Sequence, residues 1–487
     1  MNTNRFSAVL GIALLGVALS SLHAGESLPL QSVNRANEVI DAALEAHGGA
    51  TRLAELNSLV QESRFITHAT DQSRKPEPPW DRGAQQNFNA IDFERGVFVT
   101  RGTGTGGGFE FDFGTIIEGD TAWQIDYRAG TAAPIAEPDF NTASGPFIRV
   151  TPALLMKQLQ ARRQLSHWLG ETDIGGRPHD IVTLVMEVGP GLSLYFDRET
   201  HMLTRMERVF PPFGQVEYRF GDYEVIDGIA FNRSFRLLVN GDSNIDSTIT
   251  ATEVNADVGS HTRVAQDLQR IPAVTPDDFN LQEIDEGVFL VGGTGTYGLF
   301  VEMADHVVAI GGTQGAAQRM AEVRKHVADK PVRYGVLTHH HSDHVPGAAD
   351  YASEGATIIT FREHEQVVRN VLDGAEARLE FVDERMTLTD GSRRVELYDI
   401  GPTPHAEHIL IAYLPDEGIV FQADHLQQPR TGPLPPAVAA TEAFAAALAR
   451  LDLDYERIVN AHSPRISTAD DLQSVLDRQP RKVAGAP

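Results

Sequence analysis

Between Val33 and His47 the apolar residues recur at Val33, Ala36, Val39, Ile40, Ala43 and Leu44, and the run stops at Gly48-Gly49. That three-and-four spacing predicts an amphipathic helix. A second short helix is predicted over Thr51 to Asn57. From 58 to 262 the period shortens to two, which predicts antiparallel strands; examples are Phe109 to Ile117, Ile181 to Val188, Leu192 to Asp197, Gln215 to Phe220 and Ala230 to Val239. Asp227-Gly228 and Asn240-Gly241 mark turns, and Pro152 to Trp168 reads as the one helical interruption. The run Gly102-Thr103-Gly104-Thr105-Gly106-Gly107-Gly108 lacks the Lys-Ser/Thr ending of a phosphate loop, and no helix follows it. It is therefore read as a flexible loop between strands.

The pattern breaks at Ile271-Pro272-Ala273-Val274-Thr275-Pro276, beyond which strands alternate with helices. Strands are predicted at Val288 to Val291, Gly298 to Glu302, His306 to Ile310, Val332 to Leu337 and Ala356 to Thr360, and later at Arg394 to Ile400, His408 to Leu414, Gly418 to Ala423 and Arg457 to Ala461. Helices are predicted at Gln314 to Lys330, Val345 to Ser353, Phe361 to Leu372 and Ala439 to Leu451. The fold class is α+β. Its divisions are an N-terminal segment 1–24, a β-rich domain 25–270, a linker 271–279 and a second domain 280–487, whose two strand-rich halves suit an αββα sandwich.

Composition narrows the function classes. The net charge of −26 repels phosphate backbones, so nucleic acid is not an expected partner; a small-molecule substrate is. Arg5 followed by the uncharged, mostly apolar stretch Phe6 to Leu22, with Leu22-His23-Ala24 suited to cleavage before Gly25, reads as a secretory signal peptide. This predicts a periplasmic or secreted bacterial protein with no integral membrane segment after cleavage. The chain has no cysteine, so a metal site must use His, Asp or Glu. The oligomeric state is left open.

Nine of the eighteen histidines lie between 339 and 462. Side chains two apart on an extended segment share a face, so His339 and His341 leave the end of the Val332 to Leu337 strand together. Asp343 and His344 follow as the chain turns into a helix, giving two adjacent pairs of ligands. His405 precedes a strand, and Asp424 and His462 each end one. Gathering so many imidazoles and carboxylates is costly unless a cation binds them. Imidazole and carboxylate donors suit zinc first, with iron or manganese as alternatives.

The pattern His339-x-His341-x-Asp343-His344, with His405, Asp424 and His462 following in that order, resembles the metallo-β-lactamase fold hydrolases over roughly residues 280 to 469. The resemblance implies a metallo-β-lactamase αββα sandwich with two divalent metal ions. His339, His341 and His405 would hold one, Asp343, His344 and His462 the other, and Asp424 would bridge them. Two departures stand out. Where most members carry Asp-Thr-Gly, this chain has Ile310-Gly311-Gly312-Thr313, so the carboxylate that steadies the metal-ligating histidines is missing; and Ser463-Pro464 follows His462 where Gly is commoner. In the first domain, Ala46-His47-Gly48-Gly49-Ala50, Leu194 to Thr200 and Asp222 to Gly228 resemble lipoprotein-carrier half-barrels, an antiparallel sheet wrapped around helices.

The resemblance implies an exported, dinuclear metal-dependent hydrolase in which metal-bound hydroxide attacks an ester, lactone or thioester, with Asp343 as the catalytic carboxylate. β-Lactams rank lower, because true β-lactamases of this fold carry Cys or a non-ligand such as Ser where Asp424 stands. Tyr297, in the loop Gly292 to Gly298, is expected to form a flap contact, and His408 and His425, beside ligands, to touch substrate. The Pro-rich loop Gln427 to Pro436 is a second candidate wall. Alternatives are an iron-containing oxidoreductase of the same fold, or an amphiphile-binding module joined to a structural metal domain.

Overall fold

The computed structural model describes residues 26–210, 214–273, 279–293, 295–327 and 330–478. The expected signal peptide and most of the expected linker lie outside them. Leu28–Ala46 is helical and buries Ala36, Val39, Ile40, Ala43 and Leu44, the stripe read from the sequence. It begins earlier than predicted because Pro29, lacking an N–H, fits the first turn. The helix ends at His47-Gly48-Gly49, where both glycines have positive φ, and a Cβ on Gly48 would overlap the carbonyl of Gly228. The stretch read as one helix, Pro152 to Trp168, is shorter and has a partner. Phe140–Val150, capped by Asp139, precedes Pro152–Ala161, and Trp168 instead opens a strand.

Strands from 58 to 270 form one fourteen-stranded sheet. Ser58–His68 pairs antiparallel with both Arg82–Asp92 and Asp242–Val254, so the first and last long strands meet in mid-sheet. The helices lie against one face, sharing a core with Leu59, Phe98, Leu194, Phe231 and Ile249.

The glycine-rich run differs from its sequence reading: Val97–Gly106 and Phe109–Glu118 form a hairpin, and only Gly107 and Gly108 turn. Both have positive φ, 60° and 82°, which suits a two-residue hairpin turn. Phe111 and Phe113 sit opposite Gly104 and Gly102, and a Cβ on Gly104 would lie 2.7 Å from the Phe111 ring. Aromatic side chains across the ladder thus cover bare glycine backbone, and the run is strand, not loop.

Beyond residue 279 two sheets face each other. The seven-stranded sheet draws on Asn280 to Phe381 and the six-stranded sheet on Arg385 to Ser467. Between them lies a core that includes Leu290, Leu299, Ile310, Leu397, Ile411 and Phe421. Ala316–Val323, Gly347–Ser353 and Glu365–Leu372 pack outside the first sheet, and Ala439–Leu451 and Ala469–Asp477 pack against the second. This is the αββα arrangement. The two halves join at one end of the sandwich, where Leu410 N–H donates to Thr338 O (2.8 Å) just before the first metal-ligand candidate. Among the described residues no helix is long and apolar enough to cross a membrane.

Candidate metal centre

All seven ligand candidates converge at that end. His339, His341 and His405 place one donor atom each within 4.8 Å of one another, as do His339, His344 and Asp424, and Asp343, His344 and His462. The positions follow from the local chain. His339 leaves the end of Val332–Val336 and His344 enters the turn before Gly347–Ser353. Asp424 follows Ile419–Gln422 and His462 follows Arg457–Asn460, two parallel neighbours whose ends therefore coincide. His405 is held by Thr403, whose hydroxyl accepts from His405 N–H (3.2 Å) and Ala406 N–H (3.1 Å). Asp343 and His462 are the open side of the cluster, with side chains 46% and 36% exposed, whereas His339 and His344 are buried.

The hydrogen bonds around the cluster test whether cations fit it. An imidazole nitrogen facing a carbonyl oxygen must carry the hydrogen. His341 Nε2 lies 2.9 Å from Ser73 O, and His405 Nδ1 lies 3.1 Å from Gly107 O. In the neutral rings this leaves lone pairs on His341 Nδ1 and His405 Nε2. The first is buried with no hydrogen-bond partner. The second faces His339 Nε2 at 3.2 Å and Asp424 Oδ2 at 3.2 Å. His462 Nε2 likewise faces His344 Nε2 at 3.1 Å. Asp424 Oδ2 is buried without a hydrogen bond, yet it has His339 Nε2 at 3.3 Å and His344 Nε2 at 3.2 Å. Opposed nitrogens around a buried carboxylate oxygen are the donor set that divalent cations satisfy.

The charge balance agrees. Burial drives His339 and His341 well below the ordinary imidazole range, and the neighbouring rings push the same way. Burial also opposes charge on His344, but Asp424 and Asp343 outweigh it and raise this ring to about 10. Burial works against ionised Asp424 and Asp343; His344 chiefly reverses this and holds both well below the usual carboxylate range. His344 is thus held in its charged form by the two carboxylates beside it.

The Gly311-Gly312-Thr313 stretch offers no carboxylate to the ligand histidines, and its backbone packs closely at Gly312. A Cβ on Gly312 would overlap the Leu337 side chain and come 2.5 Å from His344 O. Support for the ligand candidates comes from the first half of the chain. The loop between Ser58–His68 and Arg82–Asp92 lies against the ligands. Ser73 O accepts from His341, Gln72 Nε2 donates to Asp343 Oδ1 (2.9 Å), and Asp71 O accepts from Ser342 N–H (3.1 Å). Arg74 locks this loop by bonding Asp81 through Nε and Nη2, both at 3.1 Å. The hairpin tip does the same for His405. Gly107 O holds Nδ1, Phe109 meets the ring edge-on at 5.2 Å, and Gly108 O accepts from Ala440 N–H at 3.2 Å. Gln72, Ser73, Gly107 and Phe109 were missed from sequence; two of them act through backbone carbonyls, which carry no residue signature.

Three expected substrate contacts lie elsewhere. Gly292 pairs with Tyr297 and Gly293 with Thr296, so only two residues separate the paired strands, too few for a flap. Tyr297 is packed in the core at 1% exposure, and its hydroxyl accepts from Arg430 (2.7 Å). His408 pairs with Asp399 (2.7 Å) and stands beside Phe361, outside the ligand groups. His425 is buried behind His405, its ring 5.7 Å away and its Nε2 3.1 Å from Thr403 Oγ1. His340, too, is buried, between His341 and His364. The Pro-rich loop does form a wall: Gln427, Gln428, Pro429 and Pro435 line a cleft of about 400 Å³ that opens onto Asp424 and His462.

Residues 292–462 match the family described as Metallo-beta-lactamase superfamily. Among solved structures, the FIM-1 metallo-beta-lactamase of Pseudomonas aeruginosa in its mono-zinc form is 19% identical, over 41% of this chain and 94% of that one, with a TM-score of 0.34. A metallo-beta-lactamase from Pontibacter korlensis is 20% identical, over 42% and 100%, with a TM-score of 0.33. The flavodiiron protein of Giardia intestinalis is 16% identical, over 41% and 58%, with a TM-score of 0.32. No curated protein sequence matches the chain.

Proposed function

We propose that the chain is a metal-dependent hydrolase of esters, lactones or thioesters, whose residues 292–462, the stretch that matches the metallo-beta-lactamase superfamily, form the catalytic domain. The observation that carries this reading is the set of inward-facing ligand atoms: His341 Nδ1 and Asp424 Oδ2, both buried without a hydrogen bond, and His405 Nε2, opposed to His339 Nε2, with the rings of His341 and His405 turned inward by hydrogen bonds on their far sides. His339, His341 and His405 would hold one divalent cation, Asp343, His344 and His462 a second, and Asp424 would lie between. Bound there, such cations activate water and polarise a scissile carbonyl. Zinc is the metal this donor set suits first.

The chain's own groups supply the rest. Asp343, half exposed and ionised at neutral pH, has Oδ1 tied to Gln72, leaving Oδ2 beside His344 and His462 on the open side. From there it can accept a hydrogen bond from an incoming water and orient it. The cleft beside Asp424 and His462 gives the open side a mainly apolar wall of Phe109, Phe113, Leu426, Pro429 and Pro435. Asp424, a full carboxylate ligand, favours the carboxyl-ester reading over β-lactams. Export rests on residues 1–24 alone, and N-terminal sequencing of the mature protein should begin at Gly25.

The test is a screen of carboxyl esters, lactones, thioesters and cephalosporins, with and without a chelator. Turnover of the first three, abolished by chelator and restored by zinc, is the expected result. Turnover that survives full removal of metal would defeat the reading.

A further inference from the structure

The cleft beside the metal centre is built by both halves of the chain. From the second come Leu426, Pro429 and Pro435; from the first come Phe109, Phe113 and Asp126. Phe109, Phe111 and Phe113 alternate with Glu110 and Asp112, so the three rings share one face of their strand, and the acids point away. Asp112 is engaged there by Arg101 at 2.8 Å. Phe113 is 43% exposed, and with Phe109, Leu426, Pro429 and Pro435 it gives the cleft a contiguous apolar wall open to a ligand. Among the described residues no Lys or Arg lines this cleft. The nearby arginines are committed to other groups: Arg128 to Glu110 O and Pro436 O, Arg465 to Gly432 O, and Arg430 to the Tyr297 hydroxyl. Outside the metal-ligand candidates, the one acidic residue in the described lining is Asp126, which disfavours an anionic group at that end of the cleft.

We propose that Phe109 and Phe113 determine specificity, selecting substrates whose group beside the scissile bond is uncharged and apolar, an alkyl or aryl moiety of roughly four to eight carbons. The assignment rests on the hydrolase reading. Phe109 acts at two levels, since it also meets the ring of His405; Phe113 touches no ligand candidate and is the cleaner probe. A cleft of about 400 Å³ holds such a group with room to spare. Burying one methylene there improves kcat/KM about two- to fourfold.

The experiment uses the full chain reconstituted with zinc and p-nitrophenyl esters of two, four, six and eight acyl carbons, with a matching alkyl thioester series. The expected result is a rise of about two- to fourfold per methylene in at least one series, carried mainly by KM. Phe113→Ala flattens that slope, and Phe113→Lys reverses the preference toward anionic substrates, with zinc content unchanged in both. Binding of the neutral fluorophore N-phenyl-1-naphthylamine, displaced by octan-1-ol, gives a readout independent of turnover and should weaken at least fivefold in Phe113→Lys. Hydrolysis with flat series in wild type, or slopes that Phe113→Ala leaves intact, overturns the specificity assignment and leaves the hydrolase reading standing. Fluorophore binding that depends on Phe113, without turnover of any ester, supports the apolar cleft and overturns the hydrolase reading.

Discussion

Single residues carry two kinds of stress in this molecule. His47 ends the first helix with Nδ1 2.8 Å from Ala43 O, so this nitrogen donates, and Nε2 is left to accept from Leu203 N–H at 3.5 Å. The ring is fully buried, and burial lowers its pKa from 6.5 to about 4. Protonation would take away an acceptor and place a charge in the core. The folded state therefore binds this proton less readily than the unfolded chain. Stability from His47 is complete above pH 6.5 and is lost as pH falls toward 4, by roughly 3 kcal/mol. Urea unfolding midpoints measured from pH 7.5 to 4 should drop in the wild type. His47→Gln should be less stable at pH 7.5 and should lose less across the same range; parallel curves would show that His47 is not the titrating group. At the metal centre, Asp424 touches four of the opposed imidazoles, so Asp424→Ala should lower bound metal by more than half on elemental analysis. His341→Ala should strip one cation at most, because His341 belongs to only one of the three donor groups.

Among the elements, the Val97–Gly106 and Phe109–Glu118 hairpin matters most to the site. Its tip fits against the second half of the chain only because Gly108 has no side chain. A Cβ there would lie 2.8 Å from Pro404 Cβ, and φ is 82°. Gly108→Ala should lift the tip, break the bond from His405 Nδ1 to Gly107 O and loosen the ring that Phe109 braces. Losing such an outer support weakens metal binding about 10-fold or more. Competition against a chromophoric chelator measures this, and an affinity equal to wild type would mean that the hairpin is not a support. The glycine run itself was legible as strand-to-strand punctuation. That most of it would be ladder was not, because the compensating aromatics lie several residues later on the facing strand.

For the whole molecule, the fourteen-stranded sheet and the αββα sandwich share one functional surface. The loop that follows Ser58–His68 and the hairpin tip together hold His341, His405 and Asp343 from outside the sandwich. Metal, ligands and first-half loops should then stabilise one another. Dialysis against a chelator should lower the melting temperature of the full chain by about 5 °C or more, with recovery on adding zinc, since each cation at ~100 times its Kd contributes ~2.7 kcal/mol. Scanning calorimetry with and without metal measures this. A melting curve indifferent to chelator would mean that the donor cluster holds no metal that matters to folding.

The residues themselves determined which donors exist and in what order they come. A His or Asp at the end of an apolar run is placed by local periodicity, and a cation needs those atoms whatever surrounds them. The amphipathic stripe of Leu28–Ala46 and the αββα alternation after residue 279 were readable for the same reason, since period and burial are properties of nearby residues. Only the tertiary structure decided that Ser73 and Gly107 would set the imidazole tautomers, that Phe109 and Phe113 would wall the cleft, and that Tyr297, His408 and His425 would be drawn into other contacts. Backbone carbonyls look alike in every residue. The approach of residue 107 to residue 405 comes from packing two sheets together, and no local pattern of side chains encodes it.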